Sequence, residues 1–361
     1  MGNERRPLFA RYPGTRSVPW TRLAALPTPV VRNDVLAQSA RAKSLWVKRD
    51  DLTGAHYGGN KVRKLEFLVA GALAEGATDA ITFGAVGSNH ALATAIYGTA
   101  AGLEVHSMLM PQPNAAYVRR NLLASEAAGA DLRYFEDKRA ALLGAGRLRD
   151  ELVSTGRRCA VIPFGGTTAV STLGFVNAGL ELAEQVEAGV LPEPDTVFVA
   201  LGSMGTAAGL AIGMRAAGLR TRVAAVPILT DDTTIEPDLM RVVGETCALL
   251  ESLDASFPKL RWSSSDVDVV RGFLGDGYAC RTEAGMRAVD VMDRAAGIGL
   301  ETTYTGKALA ALLDRGAAGA LAGRDVVFWD TYNSRDLSPL VEAADARALV
   351  PELLAYVTGN V

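Results

Sequence analysis

Three short polar motifs in the chain could carry chemistry, and each lies where a helix is predicted to begin. They are GGNK at residues 58–61, GSNH at 87–90 and GSMGT at 202–206. A lysine beside a helix N-terminus is disfavoured as a cation, which suits an amine that must react with an aldehyde. Backbone N–H groups and hydroxyls at a helix start suit a phosphate or a carboxylate. Taken singly, the motifs are equally typical of a surface lysine, an N-cap and a tight turn.

The GSMGT motif narrows the choice of ligand. It matches neither the dinucleotide fingerprint G-x-G-x-x-G nor the triphosphate loop G-x-x-x-x-G-K-[ST], which argues against a nicotinamide-dependent reductase. A single phosphate monoester, held by N–H groups and the hydroxyls of Ser203 and Thr206, fits better. Together the motifs supply a reactive amine, a group for a ring oxygen and a carboxylate, and a phosphate cup. These are the requirements of pyridoxal 5'-phosphate.

The composition is that of a globular enzyme and excludes other classes. A length of 361 residues suggests about two domains. Hydrophobic residues make up 49% and charged residues 21%, which excludes a disordered chain. A net charge of -3 gives no electrostatic footprint for nucleic acid. Three scattered cysteines and three histidines predict neither a disulfide framework nor a metal site. With no signal-peptide pattern and no long apolar run, we expect a cytoplasmic protein without membrane contact.

Alternating strands and helices must position the three motifs. Strands are predicted at 45–47, 80–83, 104–110, 132–134, 159–162, 196–201, 222–226 and 325–329, and helices at 61–74, 91–101, 115–128, 140–154, 174–188, 207–217, 239–253, 283–296 and 308–314. Asn60 is predicted to cap the first of these helices and Gly76 to end it. Repeated βα units predict parallel sheets with crossover helices. We expect the active cleft between two sheet-based domains.

The sequence also resembles a known family, the fold-type II pyridoxal phosphate enzymes, and among them the 1-aminocyclopropane-1-carboxylate (ACC) deaminase and D-cysteine desulfhydrase family. The resembling stretches, in family order, are KRDDLTGAHYGGNKVRKLEFLVAGAL, FGAVGSNHALATA, IPFGGTTAVSTLGFVNAGLEL, ALGSMGTAAGL, GYACRTEAG and TTYTGKALA. The resemblance implies an α/β fold of two three-layer domains with mostly parallel sheets, like the β subunit of tryptophan synthase. It implies a large cofactor-binding domain at residues 1–62 and 174–361, with a small α/β domain at 63–173 inserted in it.

The resemblance also implies roles for individual residues. Lys61 looks like the Schiff-base lysine and the base for the α-proton. Lys64 would reach the cofactor phosphate, and Thr305 would face the pyridine nitrogen. The other residues so assigned are Gly202, Ser203, Met204, Gly205 and Thr206 for the phosphate, Asn89 for the ring oxygen, and Ser88, Asn89, His90, Tyr278, Tyr304 and Thr331 for the substrate, with Ser88, Tyr278 and Tyr304 also in catalysis.

Two positions favour the desulfhydrase side of the family. Thr305 stands where ACC deaminases have a glutamate that keeps the pyridine nitrogen protonated, and a neutral hydroxyl leaves a weaker electron sink. A weaker electron sink still suffices for β-elimination when the leaving group is a good one, such as a thiolate. Thr331 stands where the deaminases have leucine. We therefore expect β-elimination from a β-substituted amino acid, giving pyruvate, ammonia and sulfide from cysteine. ACC deamination, and a lyase or β-replacement reaction on a larger amino acid, are the alternatives.

Two departures from the family pattern affect the substrate side. Met204 replaces a glycine of the phosphate loop, so its side chain is expected to point away from the cofactor. Residues 330–335 (DTYNSR) replace a loop that usually reads HTGG, and they are expected to rebuild one wall of the substrate site. The resemblance further implies a homodimer acting on a small amino acid.

Overall fold

The computed structural model describes residues 6–359, which form two sheets covered by helices. The strands are β1 (Val30–Arg32), β2 (Ser44–Lys48), β3 (Asp79–Ala85), β4 (Glu104–Met110), β5 (Asp131–Tyr134), β6 (Cys159–Val161), β7 (Thr196–Leu201), β8 (Arg222–Pro227), β9 (Val267–Val269) and β10 (Asp325–Trp329). The helices are α1 (Pro7–Arg11), α2 (Asp34–Ser39), α3 (Asn60–Ala74), α4 (Asn89–Ala100), α5 (Ala116–Ala127), α6 (Lys138–Ser154), α7 (Ala169–Glu187), α8 (Gly205–Ala216), α9 (Ile235–Leu253), α10 (Glu283–Ala296), α11 (Thr305–Ala317), α12 (Ser338–Ala343) and α13 (Pro351–Thr358).

The strand order confirms an α/β fold with mostly parallel sheets. The larger sheet has the order β1-β2-β10-β7-β8-β9, in which only the edge strand β1 is antiparallel to its neighbour. The smaller sheet has the order β5-β4-β3-β6 and is wholly parallel. Its strands come from residues 79–161, between β2 and β7 in the chain. The domain boundaries given above, after residues 62 and 173, stay a prediction.

Helices cover both faces of each sheet because parallel strands are joined by crossovers. On the larger sheet, α7, α8 and α9 pack against the face that carries Val197, and α10 and α11 pack against the face that carries Phe198. These two neighbouring residues of β7 point to opposite faces, as the pleat requires. On the smaller sheet, α3 and α4 cover one face and α6 covers the other. No helix within residues 6–359 is both long enough and apolar enough to cross a membrane.

The start of α3 differs from the sequence prediction in one respect. Asn60 does not cap the helix, because Gly59 is the N-cap residue and the Asn60 side chain donates to Thr206 Oγ1 at 3.1 Å. Gly59 has a φ of +86°, and a Cβ there would lie 2.7 Å from the carbonyl oxygen of Thr331. Only glycine tolerates both the conformation and the close approach. The loop before Lys61 is therefore held against the end of β10.

A buried cluster of charges joins α3 to the larger sheet. The Arg63 guanidinium donates to Asp50 at 2.7 Å and to Glu181 at 2.9 Å, and Lys48 Nζ donates to Glu181 at 2.6 Å. These four side chains are at most 3% exposed. Burial favours the neutral acid, yet Arg63 and Lys48 hold the pKa of Glu181 below its usual value. The cluster fixes α3, and thus Lys61, relative to β2 and α7.

Replacing one member of this cluster tests its contribution to stability. Glu181→Gln should lower the free energy of unfolding by about 3–5 kcal/mol, because it leaves buried cations without their counter-charge. Glu187→Gln, at an exposed position of the same helix, is the matched control and should change stability by no more than about 0.5 kcal/mol. Urea denaturation measures both. Equal losses in the two variants would contradict the role of the cluster.

Candidate active site

A cavity of about 450 Å³ lies between the two sheets. Its walls include the carboxyl ends of β3, β4 and β7, and residues that follow β8 and β10. Parallel sheets bind ligands in this position, because the connections that leave the strands there are free to form a crevice. This cavity is therefore the candidate active site.

The cavity brings together all but two of the residues singled out in the sequence. It is lined by Lys61, Ser88, Asn89, His90, Gly202, Ser203, Met204, Thr206, Tyr278, Tyr304, Thr305 and Thr331. The two others are adjacent to it: Gly205 begins α8, and Lys64 lies one turn beyond Lys61, behind the cavity wall. The structure thus places them all at one site, while their individual roles stay predictions.

Lys61 offers a free amine to the cavity. It lies in the first turn of α3 and is half-buried, and its Nζ forms no hydrogen bond with another of the described residues. Burial lowers the pKa of Lys61 to about 8, although the charge of Glu301 acts in the opposite direction. A lysine with a pKa near 8 is neutral often enough near neutral pH to react as a nucleophile.

Lys64 approaches the same site from behind. Its Nζ donates to the Gly165 carbonyl at 3.1 Å and to Thr167 Oγ1 at 2.8 Å, and lies 3.4 Å from Ser203 Oγ. The Thr167 hydroxyl donates in turn to Ser203 Oγ at 2.8 Å. Burial, and then the charge of Lys61, lowers the pKa of Lys64 well below its usual value. Its position next to the GSMGT loop suits a phosphate, whose charge would favour the ammonium form.

The turn at Met204 aims the start of α8 at the cavity. Met204 has φ +66° and ψ −40°, and the Gly205 N–H donates to the Ser203 carbonyl at 2.8 Å. This is a γ-turn of the rare, strained kind. Met204 therefore adopts a backbone conformation that usually favours glycine, while it lines the cavity and packs against the sheet core. The first N–H groups of α8, without intrahelical partners, lie at the cavity wall.

The GSNH motif forms the opposite wall, at the start of α4. Ser88 is its N-cap and accepts from the Ala91 N–H at 3.2 Å. Asn89 Oδ1 accepts from Asn121 at 2.9 Å and from the Tyr57 hydroxyl at 3.2 Å. No acceptor among the described residues engages Asn89 Nδ2, so this nitrogen is available as a donor to a ligand.

His90 carries the buried polar side chain of the GSNH motif. Its Nε2 lies 3.2 Å from the Thr82 hydroxyl, and the side chain is buried. Burial, followed by the charges of Lys61 and Lys64, lowers the pKa of His90 well below its usual value. His90 therefore faces the cavity as a neutral imidazole and carries no charge to a substrate.

Two tyrosines and a threonine close the third side of the cavity. The hydroxyls of Tyr278 and Tyr304 lie 2.9 Å apart, with ring centres separated by 6.1 Å at an interplanar angle of 80°. Burial raises the pKa of both phenols. Thr305 follows at the start of α11 and is buried. The phenols are consequently neutral donors near physiological pH.

The sequence analysis missed Glu301, a buried carboxylate in the cavity wall. Its Oε1 accepts from the N–H groups of Tyr304 and Thr305, each at 2.8 Å, and its Oε2 accepts from Thr303 N–H at 2.7 Å. The Thr305 hydroxyl lies 3.2 Å from Oε1. Burial raises the pKa of Glu301, while the N–H donors oppose this effect. The sequence offered little signal for it, because the helix was predicted to begin at 308, whereas α11 begins at Thr305, close enough for the carboxylate to stabilise its N-terminus.

The sequence predicts that residues 330–335 form one wall of the site, but only part of this loop after β10 lines the cavity. Thr331 and Tyr332 line the cavity. Asn333 instead accepts from the Gly58 N–H at 2.6 Å, and Arg335 donates to the carbonyls of Gly54 and Leu52 at 2.7 and 2.8 Å. Asn333 and Arg335 therefore fasten the loop to residues 52–58, and Tyr332 is the bulky residue that shapes the cavity.

One cluster elsewhere has the composition of a metal site. Ligand atoms of Asp79, Glu104 and His106 lie within 4.8 Å of one another at the start of β3 and β4. Arg157 pairs with both carboxylates at 2.8 Å, and His106 lies between Asp79 and Asp131. The cluster therefore neutralises its own charges, at the opposite ends of β3 and β4 from the cavity.

The donors of the cavity match the chemistry of pyridoxal 5'-phosphate. An amine without a hydrogen-bond partner (Lys61) suits the aldehyde, and the helix start with Ser203 and Thr206 suits the phosphate. Asn89 Nδ2 is available for the ring oxygen, and Thr305 supplies a hydroxyl at a third point. A cavity of about 450 Å³ is within the usual size range for a small-molecule site. Fold and site thus define a class of enzymes that use an aldehyde cofactor bound to lysine.

Comparisons with known proteins identify the family. The chain belongs to the family described as "Pyridoxal-phosphate dependent enzyme", whose model matches residues 21–331. Its cofactor is accordingly pyridoxal 5'-phosphate. The chain is 36% identical over 348 residues to nocardicin C-9' epimerase of Nocardia uniformis subsp. tsuyamanensis, covering 94% of this chain and 99% of the relative. It is 35% identical over 302 residues to D-cysteine desulfhydrase of Klebsiella pneumoniae (strain 342), covering 82% and 88%.

A solved structure of an ACC deaminase homologue has the same fold. It superposes with a TM-score of 0.80 at 28% identity, covering 94% of this chain and 99% of that one. The similarity extends along nearly the whole of both chains. The resemblance stated from the sequence motifs is therefore confirmed at the level of family and fold.

The free amine of Lys61 leads to a prediction about covalent labelling. Lys61→Ala should abolish the attachment of pyridoxal 5'-phosphate, and wild-type labelling should be half-maximal near pH 8 and increase with pH, because the neutral amine is the reactive form. Borohydride trapping followed by peptide mass spectrometry measures both. Lys259→Ala, at an exposed position, is the control and should label normally. Unchanged labelling of Lys61→Ala would refute the assignment.

The position of Lys64 leads to a prediction about the phosphate. Lys64→Ala should weaken binding of pyridoxal 5'-phosphate about tenfold, because a charge-assisted hydrogen bond contributes roughly 1.5–3 kcal/mol. Binding of unphosphorylated pyridoxal should stay within about twofold of wild type, since the role predicted for Lys64 involves only the phosphate. Fluorescence titration of the cofactor-free protein compares the two ligands. An equal loss of affinity for both ligands would mean that Lys64 stabilises the fold and does not bind the phosphate.

Proposed function

We propose that this protein is a pyridoxal phosphate-dependent lyase that catalyses β-elimination from a β-substituted amino acid, as a D-cysteine desulfhydrase does. With cysteine it would release pyruvate, ammonia and sulfide. The observation that carries the proposal is the free, half-buried amine of Lys61 in a cavity that also holds the Ser203–Thr206 helix start. The similarity to a D-cysteine desulfhydrase over most of both chains supports the choice of reaction.

Each wall of the cavity has a part in this proposal. Lys61 would hold the cofactor aldehyde and then remove the α-proton of the substrate. Ser88 and Asn89 would bind the substrate carboxylate and the ring oxygen through hydroxyl and amide donors. The neutral phenols of Tyr278 and Tyr304 would orient the β-substituent. When bound, the cofactor supplies the electron sink for the carbanion.

Thr305 and Glu301 together bear on the strength of that electron sink. The Thr305 hydroxyl has one proton, and Glu301 Oε1 lies 3.2 Å from it as an acceptor. Facing the ring nitrogen, this hydroxyl would be a neutral hydrogen-bonding group, whereas a carboxylate in its place would hold the nitrogen protonated. The pair therefore offers the ring a neutral, polarised oxygen and no direct carboxylate. This supports elimination of a good leaving group over opening of the ACC ring.

A second candidate is epimerisation of an amino-acid centre. It begins with the same removal of an α-proton by Lys61, but it ends with return of a proton to the opposite face. The observation in its favour is the 36% identity to nocardicin C-9' epimerase along almost the full length of both chains. ACC deamination is a third candidate, and Thr305 argues against it.

One set of assays separates these candidates. The holoenzyme is supplied with D-cysteine, L-cysteine and ACC, and keto acid and sulfide are measured. We expect equal amounts of keto acid and sulfide from one cysteine enantiomer, little product from ACC, and no product with Lys61→Ala. Parallel incubations in D2O, analysed by chiral chromatography, detect inversion. Inversion without sulfide release would replace the lyase by an epimerase, and ACC opening as fast as desulfuration would contradict the argument from Thr305.

The finer features of the protein also rest on the family resemblance. We infer that two copies associate as a homodimer, that the enzyme acts in the cytoplasm, and that its ligand is a small amino acid and not nucleic acid. Light scattering during gel filtration tests the dimer, with a mass twice that of one chain as the expected result.

A further inference from the structure

A second cavity, of about 800 Å³, adjoins the candidate active site. Glu301 and Tyr332 belong to the walls of both cavities, so they form the partition between them. Tyr117 and Arg120 of α5 line the second cavity beside this partition. A substituent that extends from the active site past Tyr332 would therefore enter a large space already present in the protein.

Arg120 is the unusual group of this partition. Its guanidinium lies over the Tyr332 ring, 5.8 Å from the ring centre, and donates to the Tyr332 hydroxyl. No carboxylate among the described residues pairs with it, and its Nε is buried without a partner. Arg63, which is fully buried, has carboxylate partners. Arg120 is half-buried, and a guanidinium with a buried, unpartnered Nε and no counter-charge is unfavourable, so a planar anion is the partner that its geometry fits best.

The neighbouring charged groups do not serve as the counter-charge of Arg120. The Glu301 carboxylate is already the acceptor for three backbone N–H groups. Arg335 is fastened to the carbonyls of Leu52 and Gly54, and Arg281 is exposed at the rim. The rim acids Asp336 and Glu342 are also exposed to water. Among the described residues at the junction of the two cavities, Arg120 is thus a half-buried cation without a carboxylate partner.

We propose that Arg120 binds a carboxylate at the far end of the substrate side chain, and that this chain passes Tyr332 into the second cavity. The proposal rests on the proposed function in one respect, that the amino-acid end of the substrate lies at Lys61. It specifies the substrate class as an amino acid with an extended, anionic β-substituent. Free cysteine would then be a minimal substrate that leaves the second cavity unused.

A pair of ligands of equal chain length tests the proposal by binding alone. The holoenzyme is titrated with 2-aminoadipate, which has a terminal carboxylate, and with norleucine, which has a terminal methyl group. Both enantiomers are used, and binding is followed by the cofactor absorbance and by calorimetry. Wild type should bind 2-aminoadipate at least about tenfold more tightly, because a charge-assisted hydrogen bond to arginine is gained.

Variants identify the residue that provides the preference. Arg120→Gln should remove the tenfold preference by weakening 2-aminoadipate, while norleucine binding stays within about twofold of wild type. Arg120→Lys should retain part of the preference, because the charge remains without the planar fork. Arg281→Gln, at the exposed rim, is the control and should keep the full preference.

The outcomes that would overturn the proposal are distinct from failure of the proposed function. Equal binding of the two ligands by wild type, or no binding of either, would overturn it. An equal loss of affinity for both ligands in Arg120→Gln would also overturn it, because Arg120 would then stabilise the fold and not bind the anion. Absence of β-elimination from S-carboxyalkyl cysteines, with the ligand preference intact, would instead overturn the lyase reaction and support the anion site.

Discussion

The position of Lys61 depends on a group of buried charges. Arg63, two residues after Lys61, is enclosed with Asp50, Glu181 and Lys48 in one hydrogen-bonded cluster. An unpaired charge buried there would lower the stability of the fold strongly, so each member of the cluster depends on its oppositely charged partners. Because the members come from α3, from α7 and from the end of β2, their mutual requirement fixes where α3 begins. The loop that precedes α3 is then short, and Gly59 lets it pass against the end of β10.

Burial also sets the chemistry of the cavity. It lowers the pKa of Lys61 to about 8, it keeps His90 neutral, and it keeps the phenols of Tyr278 and Tyr304 protonated. One physical effect therefore yields a reactive amine beside several neutral donors. Lys64 is enclosed as well, and its amine is held by hydroxyl and carbonyl oxygens next to the GSMGT loop. An incoming phosphate would provide the counter-charge that this lysine lacks.

The substrate side is where this chain departs from its family pattern. The strained turn at Met204 keeps a glycine-like backbone with a larger side chain at the cavity wall. Tyr332 occupies another wall, in a loop that Asn333 and Arg335 fasten in place. Both residues line the cavity that also holds Lys61, Asn89 and Thr206. Their bulk therefore contributes to the shape of the space next to these groups.

The sequence by itself determined the α/β class, most helices and strands, and most of the polar residues that line the cavity. It could do so because hydrophobic periodicity and helix-start motifs are local signals. It did not reveal that Asn60 is not the N-cap of α3 and that its side chain donates to Thr206. It also did not reveal that the Glu301 carboxylate accepts from N–H groups at the start of α11. Nor could it place Arg120 beside Tyr332, since α5 and the loop after β10 are far apart in the chain. Contacts between distant segments, and the burial that shifts pKa values, exist only once the two sheets have formed and packed together.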